Sequence, residues 1–138
     1  QIFRDEYKQV LQAAGSSALA RLNAIIDVHA RFADHPLLPG GCPLLNTAIE
    51  SDDGHPLLRE HVRAAMDDWR KLLAGTFKRG VASGEFRADI DADEAATIII
   101  SLIEGGVMLS KLYATPEHLQ RAVAHARTYI GTMSRIDS

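Results

Sequence analysis

The chain has 138 residues, of which 46% are hydrophobic and 24% charged, with a net charge of -3. That length suits one domain with a core of its own and is short for two, and the apolar fraction excludes a largely disordered segment. The mild negative charge and a pI near 6.1 argue against binding nucleic acid through the bulk field of this segment, and no run of like charges forms a basic arm.

A single cysteine, Cys42, excludes an internal disulfide framework and fits a reducing compartment. Neither a secretory leader nor an uninterrupted apolar run of about 18 residues is visible, so a soluble, cytoplasmic domain without a membrane partner is expected. The sequence opens at Gln1 already in helical pattern, which predicts further chain in front of it.

Phe3, Tyr7, Val10, Leu11 and Ala14 recur at helical spacing and predict a first helix ending near Gly15. Ser16 and Ser17 offer an N-cap for a second, striped by Leu19, Leu22, Ile25, Ile26, His29, Phe32 and Ala33. Prolines and glycines from Pro36 to Pro43 stop regular structure, and 44–50 has room for a short helix only.

Pro56 suits a first helical turn, because its missing N–H costs nothing there. From it a long amphipathic helix runs to about Ser83, with Leu58, Val62, Met66, Trp69, Leu73 and Phe77 on one side and Gly84 as its stop. At 1.5 Å per residue it is about 40 Å long. Asp91 and Glu94 resemble a capping box, and Thr115-Pro116-Glu117 opens a last helix striped by Leu119, Ala122, Val123, Ala126, Ile130 and Met133. With no alternating strand pattern, the chain is read as all-α: one domain over 1–138 of about six helices.

The segment from Glu94 to Leu112 has no polar side. Ile98, Leu102, Leu109 and Leu112 share one face, and Ile99, Ile103, Val107 and Ser110 lie further round. An ordinary surface helix has a single apolar stripe. Two readings cover both faces: the central helix of a monomeric bundle, or a two-fold dimer in which this helix and the last one form a four-helix interface. The dimer reading places Ile99, Ile103, Gly106, Val107, Ser110, Leu119, Val123, Ala126 and Ile130 at that interface. Adjacent Gly105 and Gly106, each costing about 1 kcal/mol relative to alanine within an exposed helix, suggest a close backbone approach or a bend.

The order of these pieces has a precedent. Gly40-Gly41-Cys42-Pro43-Leu44-Leu45-Asn46-Thr47-Ala48-Ile49-Glu50 precedes the long helix bearing Trp69. Arg79-Gly80-Val81-Ala82-Ser83-Gly84-Glu85-Phe86-Arg87 follows it, and then an Asp-rich helix start and Ile103-Glu104-Gly105-Gly106-Val107-Met108-Leu109. Over essentially the whole chain this resembles the C-terminal regulatory domain of the TetR (tetracycline repressor-like) family of bacterial transcription regulators. The resemblance implies a homodimer that holds a small, mostly apolar effector. It also implies operator DNA as a partner only through an N-terminal helix-turn-helix domain, which this sequence lacks. The first helix then corresponds to the connector to the DNA-binding heads.

The resemblance implies a pocket lined by Leu11, His29, Phe32, Cys42, Leu45, Met66, Trp69, Leu73 and Met108, with methionine giving plasticity and tryptophan a flat wall. Each of these residues equally suits plain core. Glu104 joins them as the acid inside an apolar helix, which must find a partner, raise its pKa or face solvent.

No histidine pair has the i, i+4 spacing of a metal site, and His118 and His125 lie off the apolar stripe, so no metal or cofactor is expected. Cys42 has no signature of an activating base, and neither a phosphate-cradling glycine loop nor a G-x-S-x-G elbow is present, so an enzyme is not expected. The rival from another class is a helical protein-interaction module without a small-molecule pocket.

Overall fold

The computed structural model describes residues 2–33 and 56–135, except the side chains of residues 2–4, 32, 33, 58, 59, 61 and 62. The described residues form five helices: α1 (Ile2–Ala14), α2 (Ala18–Ala33), α3 (Pro56–Ala82), α4 (Ala92–Leu112) and α5 (Glu117–Gly131). The all-α class and the long helices therefore follow the hydrophobic periodicity closely. The short helix expected over 44–50 lies outside the described residues.

The second helix is the hub, touching α1, α3, α4 and α5. Its Leu22, Ile25 and Ile26 meet Leu73 and Phe77 of α3, Ile99 and Ile103 of α4, and Ile130 of α5 in one core where each of these residues is at most 1% exposed. Each such side chain contributes on the order of 1.5–3 kcal/mol of burial. Gly15, at φ +73°, turns the chain between α1 and α2 in a conformation that suits glycine.

The turn after α3 explains the Arg79–Arg87 stretch. Gly84 adopts φ +81° and ends the helix. Phe86 then folds back, donating its N–H to the Gly80 carbonyl at 3.0 Å. A Cβ at Gly80 would lie 2.3 Å from the Phe86 ring and 2.9 Å from Ala18 Cβ, so only glycine admits this contact. The same turn is tied to the C-terminal side by an isolated antiparallel bridge between Phe86 and Ser134. Its bonds run from Arg87 N–H to the Met133 carbonyl and from Arg135 N–H to the Glu85 carbonyl, both 2.9 Å.

Three helix starts use different devices. Asp91 caps α4 by accepting the Glu94 N–H at 3.1 Å, as its spacing predicts. At α5 the cap position falls on Pro116. Thr115 Oγ1 accepts from Glu117 N–H at 3.3 Å, and Ser110 Oγ, from the end of α4, accepts from Leu119 N–H at 2.8 Å. Ser17 accepts the Ala20 N–H of α2 at 3.2 Å. The Glu85 carboxylate completes that cap from 66 to 68 residues away, taking the Ser17 hydroxyl at 2.7 Å and the Ala18 and Leu19 N–H groups at 2.7 and 3.0 Å.

The sides of α4 are exchanged relative to the sequence expectation. Ile99, Ile103 and Val107 are at most 2% exposed within this one chain. Gly106 approaches α5 of the same chain, where a Cβ would lie 2.8 Å from Ala122 Cβ. Leu119, Ala126 and Ile130 likewise face inward, and Val123 is half-buried against the same core. All eight are thus committed to the subunit's own core, and Ser110 to the α5 cap. The outward stripe is Ile98, Leu102, Gly105, Leu109 and Leu112, none of them buried.

By length and mean hydropathy, 1.6 over its most apolar window, α4 is long and apolar enough to cross a membrane, although Ser101 and Glu104 interrupt its apolar run. Its inner side nevertheless packs on α2, α3 and α5 as a core helix does.

Burial acts to raise the pKa of Glu85, but the hydrogen bonds from Leu19 N–H, the Ser17 hydroxyl and Ala18 N–H outweigh it and hold the carboxyl below its ordinary value of 4.5. A depressed folded pKa gives stabilisation that is complete above the unfolded pKa and is lost as pH falls through the folded value. Glu85→Gln should therefore destabilise the domain by about 1 kcal/mol at neutral pH. Urea unfolding of both proteins at stepwise lower pH should show the gap closing below the ordinary carboxylate value; a gap independent of pH would refute the charged cap.

Candidate functional site

The inner side of α4 carries one acid. Glu104 Oε1 lies 3.0 Å from His29 Nε2 of α2, and the two side chains are only 11% and 8% exposed. The imidazole lies flat against the indole of Trp69 on α3, with centroids 4.0 Å apart and planes 11° from parallel. Three helices thus converge on one polar cluster within an apolar core.

The chemistry follows from that enclosure. A carboxylate with so little water needs a hydrogen-bond donor, and Nε2–H supplies one, which fixes the orientation of the imidazole. Stacking on Trp69 closes the other side of the ring with a large flat surface. Trp69 is itself 8% exposed, and its indole N–H has no hydrogen-bond partner among the described residues.

Of the residues expected to line a pocket, the structure brings His29, Trp69 and Glu104 together. Leu73, one helical turn beyond Trp69, is fully buried core, and Leu11 and Met66 are half-buried against that core. Met108, one helical turn beyond Glu104 on α4, is 48% exposed. Its position in the helical repeat places it away from the inward stripe of Ile99, Ile103 and Val107. The side chain of Phe32, with Cys42 and Leu45, lies outside the described residues.

Two open grooves lie elsewhere. One, of about 520 Å³, runs between α2 and α5 over Ala30, Leu119, Val123 and the Asp27–Arg127 ion pair. The other, of about 490 Å³, lies at the α4–α5 turn beside Val107, Ser110, Lys111 and Pro116. The first brings together residues about 90 positions apart, so no local periodicity announces it.

Residues 18–126 match the family model described as "Tetracyclin repressor-like, C-terminal domain". The chain belongs to the TetR family. It is similar to the crystal structure of a TetR transcriptional regulator from Chloroflexus aurantiacus J-10-fl, at 42% identity and a TM-score of 0.87, over 97% of this chain and 67% of that one. It is also similar to the TetR-family transcriptional regulator of Cytophaga hutchinsonii, at 29% identity and a TM-score of 0.86, over 97% of this chain and 66% of that one. This TetR-family chain therefore spans about two thirds of the length of each. No curated protein sequence matches it.

In this TetR-family fold the His29–Glu104 contact should act as a coupled unit, since both side chains lie in a nearly dry environment. A double-mutant cycle with His29→Leu and Glu104→Leu, followed by chemical denaturation, should give a coupling energy of about 1–3 kcal/mol. Additive single costs would show that the two side chains do not depend on each other.

Proposed function

We propose that this domain is the effector-sensing and dimerisation part of a TetR-like transcriptional regulator. A small, mostly apolar ligand bound here would control DNA binding by an N-terminal helix-turn-helix domain in a longer, cytoplasmic protein. The observation that carries the reading is the polar cluster of His29, Glu104 and Trp69 at the junction of α2, α3 and α4. Buried polar groups set in apolar walls are what a small-molecule site uses to orient its ligand.

The connection to α1 supports the same reading. Arg21 of α2 donates to the Leu11 and Gly15 carbonyls at 3.3 and 3.2 Å, and Arg31 of α2 pairs with Glu6 of α1 at 2.7 Å. A shift of α2 at His29 would carry α1 with it. A ligand that binds one arrangement of α2 better than another then biases the position of α1, which is the connector in this reading.

For dimerisation, the supporting feature is the outward stripe of α4, where Leu109 and Leu112 are 37% and 71% exposed, beside Met108 and Tyr113. Contiguous exposed apolar surface of this kind marks an interaction site. Gly105, in the middle of the stripe, has nothing within 4 Å of the position of a Cβ, which leaves room for a second backbone. Light scattering at micromolar concentration should give twice the 15.1 kDa chain mass, and Leu109→Arg combined with Leu112→Glu should give the single-chain mass. A monomeric parent chain would end the dimer reading.

Ligand sensing is tested by a thermal-shift screen of apolar and aromatic compounds against the chain. A specific ligand stabilises by mass action, about 2.7 kcal/mol at a hundred times its Kd. A screen in which no compound class raises the Tm favours the helical interaction module over the sensor.

A further inference from the structure

The α1–α2 hairpin is fastened differently at its two ends. At the closed end, Gly15 turns the chain at φ +73°, and nothing lies within 4 Å of the position a Cβ would take there. Two charged side chains clamp that turn. Arg21 donates to the Leu11 and Gly15 carbonyls at the negative end of α1, at 3.3 and 3.2 Å. Glu85 accepts from the Ser17 hydroxyl and the Ala18 and Leu19 N–H groups at the positive end of α2. Between the ends, Tyr7 and Leu11 pack half-buried against the core. Towards the open end, Arg31 of α2 reaches Glu6 of α1 at 2.7 Å, with side chains 55% and 39% exposed.

We propose that the Glu6–Arg31 pair is a latch that sets the resting angle of α1, which opens from that end about a pivot at Gly15. That such a motion acts on DNA-binding heads rests on the sensing reading above; the latch itself does not. Lever geometry singles out the pair. Along the helix, Glu6 stands about 14 Å from Gly15 and Leu11 about 6 Å. A swing of about 10° therefore displaces Glu6 by about 2 Å and Leu11 by about 1 Å. The first displacement parts an ion pair, whereas a long arginine side chain follows the second. Its weakness suits the task. An exposed ion pair biases such an equilibrium by about two- to fivefold, enough to set a resting position and little enough to be reversed. Asp27, one turn earlier on α2, is paired with Arg127 of α5. Arg31 also lines the open groove between α2 and α5, so solute ions reach its guanidinium from that side.

A 13-residue helix parted from its support is marginal in water, so opening registers as hydrogen exchange of the α1 amides. Exchange followed by NMR should be about two- to fivefold faster over 6–14 in Glu6→Gln than in the parent chain, with α4 and α5 unchanged. The reversed pair, Glu6→Arg with Arg31→Glu, should return α1 to the parent rate. Raising salt to about 1 M, where the Debye length is about 3 Å, should speed α1 exchange in the parent and leave Glu6→Gln unchanged.

Parent rates in Glu6→Gln would overturn the latch, as would a reversed pair that stays fast or a salt response that persists in Glu6→Gln. Acceleration that spreads to α4 and α5 would also overturn it, because it reports lost stability of the whole domain. The sensing reading fails separately. An empty thermal-shift screen removes sensing and leaves the exchange results standing, whereas failure of the latch leaves ligand binding untouched.

Discussion

An acid in the most apolar helix of the chain is the constraint around which the rest is arranged. Glu104 lies on the inner side of α4, so the core must supply a donor where it otherwise supplies only hydrocarbon. That requirement fixes His29 on the facing side of α2 and, through the stack, Trp69 on α3. A leucine at position 104 would fill the same space without any demand on register. The carboxylate instead makes the relative placement of α2 and α4 discrete, because a slip of either helix breaks a 3.0 Å contact between groups that are nearly buried.

A second long-range contact holds the other end of the hub helix. Glu85 reaches the start of α2, while the turn that carries it is pinned by Phe86 over Gly80 and by the bridge to Ser134. So α2 is located at its first turn by a charged cap and at its last turns by the His29–Glu104 contact. Between these anchors, Leu22, Ile25 and Ile26 contribute burial, which stabilises strongly but specifies orientation weakly. By contrast, α1 is joined to α2 across Gly15 and held by half-buried Tyr7 and Leu11, by Arg21 and by the exposed Arg31–Glu6 pair. Exposed pairs of that kind are worth little. In the sensing reading, the helix that must move is therefore attached by weaker bonds than the helix that carries it.

Periodicity made the helices legible because each stripe repeats within one element. Pro56, Gly84 and Asp91 marked boundaries for reasons that are local to the backbone, and the structure places α3 and α4 accordingly. Glu85 and Ser110 were opaque for the opposite reason. Each caps a helix other than its own, and nothing in a local window ties Glu85 to Ser17 or Ser110 to Leu119. Glu104 stood out as an acid among aliphatic residues, yet its partner is 75 positions away. The choice between the two sides of α4 failed because both stripes are apolar. Only the neighbours decide which one is core, and the sequence pattern carries no information on neighbours.

The exchange of those sides bears on how sensing and assembly can be linked. Ile99, Ile103 and Glu104 face the subunit interior, while Leu102, Leu109 and Leu112 lie on the outward stripe of the same 21-residue helix. A helix of that length behaves as one rigid body, since its backbone hydrogen bonds resist local bending. Gly106 fits tightly against Ala122 and Leu119 of α5, so α4 cannot rotate without displacing α5. Any change that a ligand imposes near Glu104 then reaches the outward stripe as a displacement of the α4–α5 pair together. In the dimeric reading the two subunits meet through that pair, and the interface becomes the fixed frame against which the opposite side of the ligand site must yield. The yielding side is α2, and through it α1.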